Sequence, residues 1–439
     1  MTDATPQPVQ RARAPLPQAS GGTTPAGPSI GLAAEHFAAA MLYLVAGGMG
    51  LVWIAPQLAA GAYLSPPVAA VTHLFTLGWL TMTIFGALNQ LLPGALGAPI
   101  RSVAVGHAGF WSFAPGVGLV AAAIATSSDS LRHAGLALVA AGVVLTGGNV
   151  IATLSRARVR DVTWAAVALG ISFLASALVL GTVLLHNLHT GFIAAARIRV
   201  LATHLHLAIA GWALIMMTGV SHRLLPMFLL AHNADTRWTK RALGLLASGV
   251  TVLAIGLLGQ SAAATWLGAL LLAGGVACFL RQAFAFYRAR MKPSIDIGMR
   301  FAATALLFLA VSTVLGLALL GTGIDHPRLA TAYVATGLLG GILLYVIGFF
   351  YKIVPLLAWT ALFRGRVGRE PVPTVAELFS PRVAQVQLAV MALGLTLLGG
   401  GIGAGSVHVT RGGAVLFLGG ILLFLGQIGR VALGGRVWR

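Results

Sequence analysis

The sequence predicts an all-α polytopic integral membrane protein with about twelve transmembrane helices. Of its 439 residues, 58% are hydrophobic and only 8% are charged, whereas about 25% of the residues of a soluble domain are charged. Apolar stretches long enough to cross a bilayer, which takes about 20 residues, recur along the whole chain. This composition argues strongly against a globular enzyme in water.

Each apolar stretch after residue 32 is interpreted as one spanning helix. The twelve stretches lie near residues 37–60, 68–93, 103–126, 132–154, 162–187, 201–229, 242–260, 262–280, 301–321, 330–359, 383–404 and 413–434. The boundary between the seventh and the eighth stretch depends only on Gln260 and Ser261, which interrupt the apolar run. Together these stretches define one transmembrane domain, residues 33–439.

The residues before the first stretch are rich in Pro, Thr, Ala and Arg. They contain no apolar block of the kind found in a cleavable signal peptide. We therefore expect residues 1–32 to form a disordered tail on the cytoplasmic side.

The positive charges indicate how the helices are oriented. The net charge is +19, and 28 residues are Lys or Arg. With the N-terminus inside, 21 of them fall in inward-facing segments, 5 in outward-facing segments and two, Arg223 and Lys352, within spans. The positive-inside rule then predicts cytoplasmic termini in a bacterial inner membrane. Because the charges are scattered between apolar runs, they indicate lipid-headgroup contacts and no nucleic-acid partner.

Histidine is the residue type available here for metal chemistry. The chain has twelve histidines but only one cysteine, Cys278, so thiolate zinc sites, iron–sulfur clusters and disulfides within the chain are excluded. Polar groups within spans are costly and are usually functional. Alternating helix directions place five histidines in one layer of the outer half of the membrane: His73, His186, His189, His204 and His206.

A common pattern links the second and sixth helices. From His73 and from His206, the offsets to Gly, Trp, Gly and Pro are +5, +6, +13 and +20 in both helices. The tenth helix repeats Gly341, Gly348 and Pro355, with Ala335 at the histidine position. These offsets predict an internal repeat in which two copies keep a histidine.

The spacing of these residues indicates how they could hold ligands. Gly78 and Gly211 lie a little over one helical turn beyond their histidines, where a missing side chain would leave room for a flat ligand. His204 and His206 are two residues apart and face opposite sides of a helix. His186 and His189 are three apart and share a face, which suits a chelating metal pair.

The segment from His204 to Trp212, with Gly219 and Pro226, resembles the H-x-H helix of haem–copper oxidase subunit I. The resemblance is closest to the cbb-type and nitric-oxide-reductase branch and extends to the smaller NnrS-type haem–copper membrane proteins. The segment from Thr72 to Pro93 is similar to their other histidine-bearing helices. The two segments cover roughly a tenth of the chain.

The resemblance implies a haem site with named ligands. It implies that His73 and His206 are the axial ligands of a low-spin b-type haem between helices two and six. It implies that His204 ligates a second, gas-reacting haem, and Trp79 and Trp212 are candidates to stack on a haem edge. Against the family's pattern, the sequence has no evident copper-B ligand set and no acidic residue well inside a span. A proton-pumping terminal oxidase is therefore not predicted, and the presence of copper stays open.

The preferred function is electron transfer through a b-type haem, with nitric oxide or oxygen bound or reduced at a second haem. A quinol or a cytochrome would then be the redox partner. One alternative is a haem-free secondary transporter that couples substrate to protons through its histidines. Another is a factor for metal or haem delivery and assembly, in which His186 and His189 would matter most.

The remaining polar residues within spans have simpler interpretations. We expect His107, His133, His222 and His232 to form hydrogen bonds between helices. Arg223 and Lys352 are expected to extend to the cytoplasmic interface, or else to bind an anion or a quinone headgroup.

Overall fold

Twelve helices of the computed structural model, which describes residues 30–231, 235–322 and 326–435, are long and apolar enough to span a membrane. The predicted number of spans is therefore confirmed, and the described residues contain no strand. We number the helices in chain order as α1 Ile30–Trp53, α2 Pro66–Leu96, α3 Val103–Thr126, α4 Asp129–Leu154, α5 Val162–Thr190, α6 Ala194–Leu229, α7 Arg237–Leu258, α8 Ala262–Arg288, α9 Ile297–Thr322, α10 Pro327–Arg366, α11 Pro381–Ala404 and α12 Val407–Ala432.

The N-terminal boundary differs from the prediction by three residues. Helix α1 begins at Ile30, so residues 30–32 belong to its first turn and not to the predicted tail. The rest of that tail, residues 1–29, lies outside the described residues, as does His232. Glu35 consequently lies within α1 and not at its edge.

The boundary between α7 and α8 is confirmed where the sequence was least clear. Gln260 has a positive φ of 55°, a left-handed conformation that reverses the chain after a helix. The side chain of Ser261 accepts a hydrogen bond from the backbone N–H of Ala264 at 3.3 Å. This capping bond starts α8.

Three of the spans contain a π-helical segment of eight residues. These segments are Leu74–Thr81 in α2, Leu207–Leu214 in α6 and Thr336–Leu343 in α10. They begin one residue after His73, His206 and Ala335, which are equivalent positions in the sequence pattern. Because π-helical segments are rare and often occur at functional sites, their shared position makes this level of the bundle a candidate for the functional site.

Glycines of α2, α6 and α10 let each of these helices approach the span that precedes it. A Cβ atom on Gly78 would lie 2.5 Å from Tyr43 of α1, and one on Gly211 would lie 2.7 Å from Phe173 of α5. Aromatic side chains of neighbouring helices take up the space beside Gly78 and Gly211, and the room that these glycines leave for a flat ligand stays a prediction. Gly340 of α10 packs in the same way, with its Cβ position 2.7 Å from Phe308 of α9.

The helix contacts divide the bundle into three sets of four spans. In each set the first two helices pack through the glycine just described, and the last two, α3–α4, α7–α8 and α11–α12, pack extensively as pairs. The π-helical segments of α2 and α10 both contact that of α6. The histidine-bearing helices therefore meet at the centre of the bundle.

Candidate functional site

The centre of the site is a pair of histidines on neighbouring spans. The imidazole rings of His73 on α2 and His204 on α6 have centroids 6.3 Å apart and planes inclined by 25°. His73 lies just before the π-helical segment of α2, and His204 lies two residues before the last α-helical residue, His206, that precedes the corresponding segment of α6. The two rings therefore lie at the same level of the bundle.

Backbone carbonyl groups orient three of the histidine rings. The Nδ1 atom of His73 donates to the carbonyl oxygen of Ala69 at 2.8 Å, and that of His206 donates to Ala202 at 2.8 Å. His204 Nδ1 donates across to Ala177 of α5 at 2.9 Å. A carbonyl oxygen only accepts, so each Nδ1 carries the proton and each Nε2 keeps its lone pair. Metal-ligating histidines typically have this arrangement.

His73 and His204 line one cavity, which we call the histidine cavity. Its walls are formed by helices α2 to α6. Most of the wall is aliphatic, from residues such as Leu80, Val143 and Leu174. Arg197, at the start of α6, also lines the cavity, and its guanidinium donates to the carbonyl oxygen of Leu64 at 3.1 Å. The cavity thus combines an apolar body with one cationic side chain near its end.

Gly181 of α5 makes room for the ring of His204. A Cβ atom at this position would lie 3.0 Å from Cε1 of His204, so a larger residue would push the ring away. Ala177, whose carbonyl group holds the same ring, lies one helical turn earlier on α5. Gly181 could not be singled out from the sequence, since it is one of 56 glycines in the chain.

His206 faces a different side of α6, as the two-residue spacing predicts. Its Nε2 is 3.1 Å from the hydroxyl oxygen of Tyr333 on α10, and both residues line a cavity between α6 and α7 to α10. The ring packed near that of His73 belongs to His204, but His73 and His206 also line one further cavity, between α2, α6 and α10. The predicted pairing of His73 with His206 therefore stays a prediction. The rotation of α6 about its own axis turns His206 toward α10.

The two predicted tryptophans have different surroundings. Trp212 lines the histidine cavity, and its indole N–H donates to the hydroxyl oxygen of Thr81 at 3.0 Å. Trp79 is fully buried and packs against Phe350 of α10 at 5.0 Å and Phe424 of α12 at 6.1 Å. The structure thus brings only Trp212 to the cavity that His73 and His204 share.

The predicted chelating pair is engaged by charged side chains of α4. His186 Nδ1 is 3.0 Å from a guanidinium nitrogen of Arg132, and His189 Nε2 is 3.3 Å from Oδ1 of Asp129. Arg132 also bonds to Asp129. The buried guanidinium beside His186 disfavours a second cation at this place, while the metal-pair role of His186 and His189 stays a prediction. In the described ranges, no group of three or more His, Cys, Asp or Glu side chains could hold a metal ion.

His107 and His222 make hydrogen bonds between helices, as expected, whereas His133 bonds within its own helix, α4. His107 Nδ1 is 2.8 Å from Oε1 of Glu35, and His222 Nδ1 is 3.3 Å from the hydroxyl oxygen of Thr239. His133 has a partner that the sequence did not indicate, Asp129, whose backbone carbonyl oxygen is 3.0 Å from its Nδ1. These histidines lie apart from the pair formed by His73 and His204.

The two cations within spans form ion pairs at equivalent positions. Arg223 is 2.7 Å from Asp161, which precedes α5, and Lys352 is 2.7 Å from Asp296, which precedes α9. Each basic side chain therefore joins α6 or α10 to the start of the preceding span. An aspartate already balances each charge, which weakens the alternative that they bind an anion.

The fold and the site define the class of protein as a twelve-helix integral membrane protein with facing histidines in its apolar interior. No protein-family model matches the chain, and no curated protein is similar to it. The resemblance to haem–copper oxidases and NnrS-type proteins therefore stays a prediction. The function has to be argued from the geometry of the site.

Proposed function

We propose that the chain is a membrane-embedded b-type haem protein in which His73 and His204 are the two axial ligands. One observation carries this proposal. The ring centroids are 6.3 Å apart with planes inclined by 25°, and in both rings Nδ1 is bonded to a carbonyl group while Nε2 has no hydrogen-bond partner among the described residues. The proposal keeps the predicted cofactor but exchanges His206 for His204.

The separation of the rings fits a metal between them. Metal–imidazole bonds are about 2.0–2.1 Å long, so two rings on opposite sides of one ion have centroids roughly 6 Å apart. The aliphatic wall of the histidine cavity suits a flat macrocycle. Haem also needs only one or two protein ligands, because the macrocycle supplies the other donors. A pair of histidines is therefore a sufficient donor set for haem.

Arg197 is the residue that we assign to the acidic edge of the haem. Its guanidinium group lies on the wall of the histidine cavity near the start of α6. Haem carries two propionate groups, and arginine binds carboxylates through paired charge-assisted hydrogen bonds. Arg197 would thereby fix which way the macrocycle points.

The chain's own residues would restrict this haem to electron transfer. The haem supplies a reversible one-electron iron couple. His73 and His204 would both hold the haem iron, their carbonyl partners would hold the rings in place, and the aliphatic wall would keep water away. A haem that binds nitric oxide or oxygen needs an open position, so we assign any gas chemistry to the cavity of His206 and Tyr333.

The proposal includes a topology and an internal repeat. We infer that the chain lies in the bacterial inner membrane with both termini cytoplasmic, on the basis of its Lys and Arg asymmetry. We also infer that α1–α4, α5–α8 and α9–α12 are three copies of one unit. Equivalent glycine contacts, π-helical segments and ion pairs support this inference. Reporter fusions at the C-terminus and in the α8–α9 segment test the topology, since both should report the cytoplasm.

The decisive experiment is a dithionite-reduced minus oxidised optical spectrum of the purified protein, with a pyridine haemochrome assay on the same sample. We expect a sharp α-band and about one or more haems per chain. A colourless protein from cells with ample haem would overturn the proposal. The chain's intramembrane histidines would then have to be explained by transport or by delivery of a cofactor.

A further inference from the structure

A second cavity lies where α2, α6 and α10 meet, and we call it the axial cavity. Counting from His73, His206 and Ala335, each helix contributes its residues at offsets +10, +11, +14, +15 and +18. These lining residues include Thr83 and Ala87 of α2, Met216 and Ser221 of α6, and Tyr345 and Phe350 of α10. The cavity therefore lies along the axis that would relate the three proposed units.

The axial cavity has the length of a ring with a short substituent. From Thr83 to Leu91 along α2 is eight residues, or about 12 Å at 1.5 Å per residue. Its walls are aliphatic and aromatic, with Phe349 and Phe350 on α10 and Met216 and Met217 on α6. Methionine and aromatic side chains adapt well to flat apolar ligands.

One hydroxyl group in this cavity has no hydrogen-bond partner. Thr83 is only 5% exposed, and its side-chain oxygen is buried without a partner in the described structure. Leaving a buried hydroxyl unbonded costs about 1–3 kcal/mol. The other buried threonines of α2 and α6 are Thr81, Thr203 and Thr218, and each takes part in a hydrogen bond. A ligand in the axial cavity would thus supply the hydrogen-bond partner that the hydroxyl group of Thr83 lacks.

A second polar group of the axial cavity can also accept a hydrogen bond. The hydroxyl oxygens of Ser221 and Tyr345 are 2.6 Å apart, and Ser221 also donates to the carbonyl oxygen of Met217 at 2.5 Å. Because Ser221 has only one proton, Tyr345 must donate to Ser221 when Ser221 donates to Met217. The oxygen of Tyr345 then keeps lone pairs for a ligand O–H group.

We propose that the axial cavity binds the ring of a lipid-soluble quinone or quinol. Such a ring is flat and apolar, and an oxygen of either form can accept a hydrogen bond from Thr83. The O–H group of the quinol form can in addition donate to Tyr345. An acyl chain of a lipid would fill the same apolar space but would leave the hydroxyl of Thr83 unbonded. The choice of a redox-active ring rests on the proposed haem function, which requires an exchange of electrons.

The position of the axial cavity suits a redox partner of the histidine cavity. Along α2, Thr81 lines the histidine cavity and Thr83 lines the axial cavity. Along α6, Trp212 lines the first and Met216 the second, one helical turn apart. Phe350 of the axial cavity also packs against Trp79 at 5.0 Å. The two sites are therefore separated by about one turn of closely packed, partly aromatic residues.

Equilibrium binding of a radiolabelled short-chain benzoquinone to the detergent-purified, full-length protein tests this proposal. We expect saturable binding at one site per chain. Thr83→Val should weaken it roughly threefold to tenfold, the effect of one lost hydrogen bond, and Ala87→Phe should abolish it by filling the cavity. The matched control is Thr251→Val on α7, an exposed threonine bonded only within its own helix, which should bind as the unmodified protein does.

The outcomes separate this proposal from the haem proposal. No saturable binding, or equal affinity in the Thr83→Val and Thr251→Val variants, would overturn the quinone assignment. Neither result would affect the haem proposal, which the optical spectrum tests separately. Competition by a long-chain fatty acid at equal affinity would assign the cavity to a lipid chain and overturn it as well. Quinone binding that responds to Thr83→Val in a protein without haem would support the cavity assignment and overturn the proposed haem function.

Discussion

His73 of α2 and His204 of α6 face each other with their ring centroids 6.3 Å apart, and each ring is held through Nδ1 by a backbone carbonyl group. Ala69 holds His73 from within its own helix, whereas Ala177 holds His204 from the neighbouring helix α5. The second ring thus depends on the packing of α5 against α6. Its ability to bind a ligand can be altered without changing either histidine.

Removing either member of this pair should eliminate the low-spin haem signal. Losing an outer-shell partner of a metal ligand costs about 10–100-fold in affinity, and losing the ligand itself should cost more. His73→Ala and His204→Ala should therefore lose the α-band in the reduced minus oxidised spectrum. His206→Ala should keep it, because the ring of His206 faces Tyr333.

The control for these variants is His133→Ala, whose side chain is 66% exposed at the start of α4. It should retain haem and thermal stability. If His206→Ala lost the signal and His204→Ala kept it, the pairing of His73 with His206 that the sequence suggested would be correct after all.

Gly181→Ala should disturb the haem through the ring of His204. The added Cβ would lie 3.0 Å from Cε1 of that ring, so the ring or α5 must move by a few tenths of an ångström. We expect a shifted or weakened α-band, with a cost in stability of about 1–3 kcal/mol for overpacking. Optical spectra and thermal unfolding of the same preparation measure the two effects.

Gly148→Ala is the matched control for Gly181→Ala. Within 4 Å of the Cβ position of Gly148 on α4 there is no atom to contact, and alanine favours a helix by roughly 0.5–1 kcal/mol. The control should leave the spectrum unchanged and raise the unfolding temperature. An unchanged spectrum in Gly181→Ala would show that His204 does not hold the iron.

The number and the approximate limits of the spans could be predicted because hydropathy and charge act locally along the chain. Even the α7–α8 boundary followed from Gln260 and Ser261. The opposed faces of His204 and His206 also followed from their spacing. The spacing does not determine how α6 is rotated relative to α2. That rotation decides whether the ring of His204 or that of His206 lies next to His73.

That rotation depends on side chains from other spans. Gly211 packs against Phe173 of α5, and His204 is held by Ala177 of the same helix. Similarly, the prediction of a metal pair at His186 and His189 considered only α5, while Arg132 and Asp129 of α4 engage both rings. Contacts between helices far apart in the sequence leave no pattern in a single chain.

Gly78, Gly211 and Gly340 should respond alike to substitution by alanine. In each case the new Cβ would meet an aromatic side chain of the preceding span at 2.5–2.7 Å, so overpacking should cost about 1–3 kcal/mol of stability. Thermal unfolding of the three variants measures this. Gly419→Ala, whose Cβ position contacts no atom within 4 Å, should be neutral or stabilising.

The comparison with Gly340 distinguishes packing from ligand binding. Gly340→Ala changes a helix with no histidine at the equivalent position, Ala335. If Gly78→Ala and Gly211→Ala lost haem without losing stability while Gly340→Ala lost only stability, the first two glycines would contact the macrocycle, as the sequence suggested.

Arg132 should prevent a metal from binding where the start of α4 meets the end of α5. Its buried guanidinium bonds to Asp129 and to His186, while His133 and His189 contact Asp129. As they lie, these side chains form no metal site. Removing the cation in Arg132→Ala would let the three imidazoles and the carboxylate, donors that suit zinc or nickel, move together around an ion. We expect Arg132→Ala to bind Zn²⁺ at least about tenfold more tightly than the unmodified protein does.

Isothermal titration with Zn²⁺ measures this gain, and Arg132→Lys is the control because it keeps a positive charge at the same place. The binding should disappear again in the double variant Arg132→Ala, His189→Ala, because the freed site then loses a ligand. Tight Zn²⁺ binding by the unmodified protein that His186→Ala removes would instead restore the predicted metal pair, and it would show that Arg132 moves aside for the ion.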